Sequence, residues 1–140
     1  MLDHGSVDDH GSNAVEQLRH RMRHSTAHVM ADAVLRLFPE AKMAIGPPTQ
    51  DGFYYDFEVT RPFTPEDLAS IQRIMLETIS ETHPFLREEV TREEALSLFS
   101  NQPYKLEIID SLSDTETLSI YKHGNFIDLC QGPHIENTQD

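Results

Sequence analysis

Apolar side chains recur every three or four positions along residues 15–38, which is the spacing of a helix with a buried face. The positions are Leu18, Met22, Val29, Met30, Ala33, Val34, Leu37 and Phe38. Pro39 ends the pattern, because a proline disfavours helical geometry in the residue before it. The chain is therefore predicted to form a long helix from about Val15 to Phe38.

Two further helices are predicted from the signals at their starts. Thr64-Pro65-Glu66-Asp67 combines a capping hydroxyl, a proline at the first helical position and an acidic first turn. The buried stripe of this helix is predicted to consist of Leu68, Ile71, Met75 and Ile79. Thr91-Arg92-Glu93-Glu94 is a capping box, which predicts a short helix as far as about Phe99.

Alternating or aromatic-rich segments predict the strands. A short strand begins at Lys42, and the signal Asp51-Gly52 predicts that it pairs with the next strand as a hairpin. The later strands are predicted at 53–59, 85–90, 104–109, 118–122 and 125–130, the last two joined at His123-Gly124. The order α-β-β-α-β-α-β-β-β predicts an α+β fold, in which a largely antiparallel sheet packs against the long N-terminal helix and further helices.

The composition predicts a flexible N-terminal leader and argues against a protein that binds nucleic acid by its own charge. Residues 1–14 contain almost nothing to bury and are predicted to be a flexible leader, which leaves one domain over 15–140. Lysine and arginine number 11 against 24 acidic residues, a net charge of −13. This charge argues against a protein that holds nucleic acid by itself, so such a substrate would be gripped elsewhere. With one cysteine and no membrane-spanning run, we expect a soluble, cytoplasmic protein without a membrane partner.

Two histidines form the first candidate site. His24 and His28 lie four residues apart, so a helix places them on one face, about 5–6 Å apart at Cβ. Such a pair can hold one metal ion or one water. The alternative is two incidental histidines in a chain that contains eight.

The second candidate follows the last strand. With a period of two, Phe126, Asp128 and Cys130 share one strand face, and the turn Gly132-Pro133 leads to His134. A carboxylate, a thiol and an imidazole could converge there. Cys130 could equally be a small buried apolar residue, and Asp128 a residue of a turn or sheet edge.

The remaining candidates are a lysine and a possible ligand set. On its predicted strand, Lys105 is most simply a solvated residue of a sheet edge. His24, His28, Cys130 and His134 together are a donor set that zinc accepts. About a hundred residues separate the two halves of this set, and spacing alone does not unite them.

Four ordered segments resemble the second N-terminal domain, the editing domain, of bacterial threonyl-tRNA synthetases. They are HSTAHVMADAVLRLFPEAKMAIGPP, DGFYYDF, PYKLEIID and FIDLCQGPH. The resemblance covers roughly His20 to Asn137. The HxxxH and CxxxH pair is also similar to the related editing domain of alanyl-tRNA synthetases, whereas KMAIGP and FYYDF resemble the threonyl branch.

The resemblance implies an enzyme that hydrolyses serine from mischarged threonine tRNA, whose 3′ seryl-adenosine end and remaining synthetase domains would be its partners. By position, His24 and Lys105 would position and activate water. The residues that would shape the pocket and bind substrate are His28, Tyr55, Asp128, Cys130 and His134. The threonyl branch is expected to require no cofactor, although the zinc site of the alanyl relatives falls on His24, His28, Cys130 and His134.

The sequence also departs from the family. Position 26 is threonine, where many relatives carry cysteine, and it should face away from the histidine pair. The family's domain continues beyond the position of Asp140, so residues 15–140 are expected to be a C-terminally truncated form. No segment resembles the ATP-binding motifs, so no ligase activity is expected from this chain alone. The rival hypothesis is a non-catalytic zinc-binding or interaction module.

Overall fold

The structure is a computed structural model that describes residues 2–46, 49–50, 52–113, 117–130, 134–136 and 138, with side chains from residue 13 onward. Its helices are α1 (Leu2–Leu37), α2 (Pro65–Ser80), α3 (Arg92–Leu98) and α4 (Pro103–Ser111). Its strands are β1 (Lys42–Met43), β2 (Phe57–Glu58), β3 (Leu86–Val90), β4 (Leu118–His123) and β5 (Phe126–Leu129). The predicted α+β class is confirmed.

The strands form two small antiparallel sheets. β1 pairs with β2, as the hairpin signal predicts, although Asp51 of that signal lies outside the described residues. The other sheet has the order β3-β4-β5. Its β4–β5 hairpin is confirmed and turns at Gly124, whose φ of +56° is a left-handed conformation that favours glycine.

The β4–β5 hairpin lies between two apolar layers. On one face, Phe126 packs with Ala27 and Ala31 of α1 and with Met43 and Tyr55. On the other face, Ile127 and Leu129 pack against a core of Ala95, Phe99, Ile109, Leu118 and Ile120. The predicted alternation of β5 is therefore confirmed, and it directs Asp128 towards α1.

Helix α1 starts earlier than predicted. It begins at Leu2 rather than near Val15, and residues 13–20 are exposed to solvent. From Ser25 onward most of its side chains are buried, which gives the helix two very different halves. The division into a leader at 1–14 and a domain at 15–140 stays a prediction.

Helix α2 begins at the predicted cap. The Thr64 hydroxyl accepts a hydrogen bond from the Asp67 N–H, and the Asp67 carboxylate accepts one from the Thr64 N–H. The predicted stripe is wrong at Leu68, whose side chain is 58% exposed. The face that packs inward instead consists of Ile71, Ile74, Met75, Thr78 and Ile79.

The predicted strand at 104–109 is wrong, because these residues belong to α4. Pro103 occupies the start of this helix, where its missing N–H costs nothing. Lys105 and Ile109 lie one turn apart and are 4% and 0% exposed. At the far end, the Arg92 guanidinium donates to the carbonyls of Ile109 and Leu112, which satisfies terminal groups of the helix. None of the described helices is long and apolar enough to cross a membrane.

The helical geometry of α4 can be tested by two substitutions. Ile109→Ala should lower the free energy of unfolding by about 2–5 kcal/mol, because it removes a fully buried side chain. Glu107→Ala should change it by no more than about 0.5 kcal/mol, because Glu107 is exposed. Urea denaturation measures both values. A strand would place these two side chains on one face, so a large effect at both positions would contradict the helix.

Candidate functional site

The two helix histidines face the β4–β5 hairpin. His24 and His28 lie one turn apart on α1, with ring centroids separated by 5.2 Å. His28 is 2% exposed, whereas His24 is half-buried. Thr26 donates its hydroxyl hydrogen to the Met22 carbonyl on the helix itself, as expected for a residue directed away from the pair.

Cys130 and His134 meet these histidines across the fold. The Cys130 sulfur lies 3.1 Å from Nε2 of His24 and 3.3 Å from Nε2 of His134. One donor atom from each of His24, His28, Cys130 and His134 lies within 4.8 Å of the others. The structure thus brings together the four candidate zinc ligands, while the predicted turn at Gly132-Pro133 lies outside the described residues.

Two serines hold this cluster in place, and sequence reasoning missed both. The Ser25 hydroxyl lies 2.8 Å from Nδ1 of His134 and accepts from the Ile135 N–H, which orients the imidazole. The Ser119 hydroxyl donates to the Cys130 carbonyl, and the Cys130 N–H donates back to the Ser119 carbonyl. For Ser25, the available signal was a polar residue inside the buried half of α1.

Asp128 is the centre of a buried polar network. Tyr55 donates its hydroxyl hydrogen to Oδ2 at 2.7 Å, and Nζ of Lys105 lies 2.8 Å from Oδ1. The Leu129 N–H also donates to Oδ1, while Nε2 of His28 lies 3.6 Å from Oδ2. The Lys105 and Asp128 side chains are 5% and 2% exposed. Lys105 is therefore a buried partner of Asp128, and its interpretation as a solvated residue of a sheet edge is wrong.

Gly46 makes room for the Tyr55 ring. A Cβ atom at position 46 would lie 2.0 Å from Cδ2 of Tyr55, far inside contact distance. The ring also stacks on Phe57, with centroids 4.8 Å apart, and Nζ of Lys105 lies 5.3 Å from its centroid. The absence of a side chain at 46 thus allows the Tyr55 ring to lie where its hydroxyl meets Asp128.

Burial sets the protonation states of three groups. It lowers the pKa of His28 well below the ordinary value, with further lowering from the neighbouring His24. Burial, followed by the nearby His28 and His24, lowers the pKa of His134 to about 2. Burial and the Asp128 carboxylate raise the pKa of Tyr55 far above the ordinary value. Near pH 7, both imidazoles are therefore neutral and Tyr55 keeps its proton.

A cavity of about 360 Å³ opens onto these groups. Its polar lining includes His24, His28, Lys105, Asp128 and Cys130, together with Tyr55. Its apolar lining includes Ile45, Ile108, Leu112, Leu118 and Leu129. His134 contacts Cys130 but does not line the cavity. The arrangement can admit a small polar group beside an imidazole and a buried lysine.

A second buried bridge fixes α1 on the hairpin. Nε2 of His123 lies 3.2 Å from Oδ2 of Asp32, and both side chains are nearly inaccessible. Arg36 donates to both Asp32 oxygens at 3.1 Å. Since Asp32 lies one turn beyond His28, this bridge holds the helix next to the histidines in place.

One segment of the site matches a domain of two kinds of aminoacyl-tRNA synthetase. Residues 118–140, which contain Asp128, Cys130 and His134, match the family described as the threonyl and alanyl tRNA synthetase second additional domain.

Longer similarities identify the threonyl branch. The threonine–tRNA ligase of Dehalococcoides mccartyi is 56% identical over 117 residues, 84% of this chain and 20% of that protein. That of Borrelia hermsii is 51% identical over 122 residues, covering 87% and 21%. That of Acetivibrio thermocellus is 48% identical over 135 residues, covering 95% and 20%. The chain spans about a fifth of the length of these curated relatives. It belongs to the threonyl-tRNA synthetase family as an N-terminal domain.

The buried histidines should make the fold sensitive to mild acid. A histidine whose pKa is lowered in the folded state binds its proton only on unfolding, so stability falls as the pH drops below about 6.5. Each such histidine should contribute up to about 1.4 kcal/mol per pH unit. Urea unfolding at pH 6.5, 6.0 and 5.5 in chelator-treated buffer measures the slope. His134→Asn should reduce it by one histidine's share, and an unchanged slope would contradict the assignment.

Proposed function

We propose that this chain is an editing domain that hydrolyses the ester of serine with the terminal ribose of threonine tRNA. The observation that carries the proposal is the buried network of Lys105, Asp128 and Tyr55, which lines one cavity together with His24 and Cys130. A buried lysine with a carboxylate in a cavity is costly to maintain, and such groups concentrate at functional sites.

The chemical need for such a site follows from the sizes of the two amino acids. Serine lacks one methyl group of threonine, and one such group is worth only about 1–3 kcal/mol of discrimination. A synthetic site that accepts threonine therefore admits serine too often. A second, smaller site can admit serine and exclude the larger side chain. In this proposal the apolar wall that includes Ile108 and Leu118 would exclude the additional methyl group of threonine.

The proposed reaction is the attack of water on the ester carbonyl. His24, which is half-buried and lines the cavity, would accept the proton of that water as the carbon–oxygen bond forms. Lys105 has three N–H donors, and its contact with Asp128 leaves others for the developing oxyanion. The bond between the carbonyl carbon and the ribose oxygen then breaks, and His24 returns its proton to that oxygen, which yields free serine and uncharged tRNA.

The other pocket residues would bind the substrate. The Asp128 Oδ2 atom accepts from Tyr55 and has acceptor capacity for the amino group of the seryl moiety. His28 is 3.6 Å from the same oxygen and would close the wall beside it. Tyr55 would lie against the terminal adenosine. The tRNA itself would be held largely by the remaining synthetase domains, which are its proposed partners.

The same site fits a zinc ion by its chemistry. Three imidazoles and a thiol whose donor atoms lie within 4.8 Å of one another are a suitable zinc set, and Ser25 would orient His134 from behind. Bound zinc would lower the pKa of a coordinated water to about 7. We propose that hydrolysis proceeds without this ion, because Lys105 and His24 offer charge stabilisation and proton transfer from the protein. A non-catalytic zinc module is the rival hypothesis.

Deacylation of mischarged tRNA tests the enzymatic proposal. The purified chain should release serine from seryl-tRNA(Thr) and leave threonyl-tRNA(Thr) intact. His24→Ala and the double variant His24→Ala, Lys105→Ala should each lose at least about a hundredfold in rate, the usual contribution of a positioned acid or base. His83→Ala, a histidine outside the cavity, is the matched control. Folding of each variant is checked by circular dichroism. The proposal would be refuted if the folded wild-type protein hydrolysed neither ester, or if it hydrolysed both esters equally.

Metal removal separates the metal-free enzyme from a zinc enzyme. After dialysis against a chelator, the chain should keep its rate of serine release, and the metal content should be verified by elemental analysis. Added zinc should slow the reaction, because it would occupy His24, the proposed proton acceptor. A loss of activity that zinc restores would reassign the mechanism to the metal. Stoichiometric zinc in a folded chain without activity would favour the rival module.

A further inference from the structure

One stretch of α1 has a charge opposite to that of the whole protein. Residues 17–31 contain three arginines and three histidines but no acidic residue, in a chain with 24 acidic residues and only 11 lysines and arginines. The arginines are Arg19, Arg21 and Arg23. A local basic surface in so acidic a protein is suited to a specific anionic partner, because the rest of the surface repels such a partner.

This basic segment leads into the cavity. In a helix, residues three, four and seven apart share a face, so Arg21 lies on the same side of α1 as His24 and His28. His20 lies one turn before His24, and Arg21 and Arg23 line one surface depression together with His20 and Glu16. Arg21 precedes His24 by roughly 4.5 Å along the helix axis, well within the reach of an arginine side chain. A chain-like ligand whose end enters the cavity would therefore pass this part of the helix.

Two of the three arginines have no acidic partner among the residues that the structure describes. Arg19 pairs with Glu16 at 3.0 Å. Neither Arg21 nor Arg23 forms an ion pair with an acidic side chain in the described part of the chain. The Nε atom of Arg23 is buried without a hydrogen-bond partner among those residues. A guanidinium with unused donors favours a planar, multidentate anion such as phosphate.

We infer that Arg21 and Arg23 bind backbone phosphates of the tRNA just before its terminal nucleotide, as that single-stranded end enters the cavity. This inference rests on the proposed function, since it names the surface that guides the same substrate. From the net charge of −13 we expect a nucleic-acid substrate to be gripped elsewhere. The inference modifies this expectation, because the domain would supply a local phosphate-binding surface of its own.

Comparison of a long and a short substrate tests the inference. The double variant Arg21→Gln, Arg23→Gln should lose about tenfold or more in kcat/KM on seryl-tRNA(Thr) but keep the wild-type rate on seryl-adenosine, which lacks the upstream phosphates. The plot of log kcat/KM against log salt should also become shallower by about 0.7 for each single-strand phosphate contact removed. The matched control is Arg73→Gln, Arg87→Gln, which removes the same charge from arginines paired with Glu77 and Glu89.

The outcomes separate this inference from the proposed function. An equal loss of kcat/KM in the two double variants would overturn the inference, because the loss would then reflect net charge alone. No loss in either variant would also overturn it, because the arginines would then make no contribution. A loss on seryl-adenosine as well would also overturn it, because the arginines would then be acting on the fold or the cavity. If the wild type hydrolyses neither ester, the proposed function fails. Fluorescence anisotropy with a labelled acceptor-stem minihelix ending in CCA then decides: weaker binding by the Arg21, Arg23 variant than by the control supports the inference, and equal binding refutes it.

Discussion

The pocket depends on keeping one carboxylate, Asp128, out of water. A buried carboxylate is tolerated only when hydrogen bonds and an opposite charge replace its lost hydration. Here the replacements come from different parts of the fold: Tyr55 from the segment before β2, Lys105 from α4, and the Leu129 N–H from β5 itself. Satisfying this group therefore requires the correct placement of three elements at once, and that placement also forms the cavity.

The position of helix α1 also depends on a buried carboxylate that must be satisfied. Asp32 is a second buried carboxylate, satisfied by His123 of β4 and by Arg36 of its own helix. Because Asp32 and His28 are one turn apart, the helix faces the hairpin through two adjacent polar contacts set within an apolar core. Apolar packing sets the distance between helix and hairpin, and the polar contacts determine which turn of the helix faces which strand.

The sequence predicts the parts of the site that depend on local periodicity. A helical period places His24 and His28 on one face, and a period of two places Asp128 and Cys130 on one side, where the structure has both lining the cavity. It fails at 104–109, where the alternation of Tyr104, Leu106 and Ile108 favours a strand, although Pro103 is a local signal for the start of a helix. The role of Lys105 could not be seen because Asp128 lies far away along the chain. Likewise, Cys130 and His24 are 106 residues apart, and only the folded chain joins them. Their roles in catalysis and binding remain proposals.

The close approach of Gly46 to the Tyr55 ring couples two positions that share no polar chemistry. Any chain that gained a β-carbon at 46 would have to displace the ring, and the hydroxyl that donates to Asp128 would move with it. In an evolving lineage, the two sites can therefore change only together or in a fixed order, with the ring lost before the glycine. A homologue could also lose this contact through a single methyl group at 46 while it kept every polar residue of the pocket, so an intact set of polar residues would not by itself identify this arrangement.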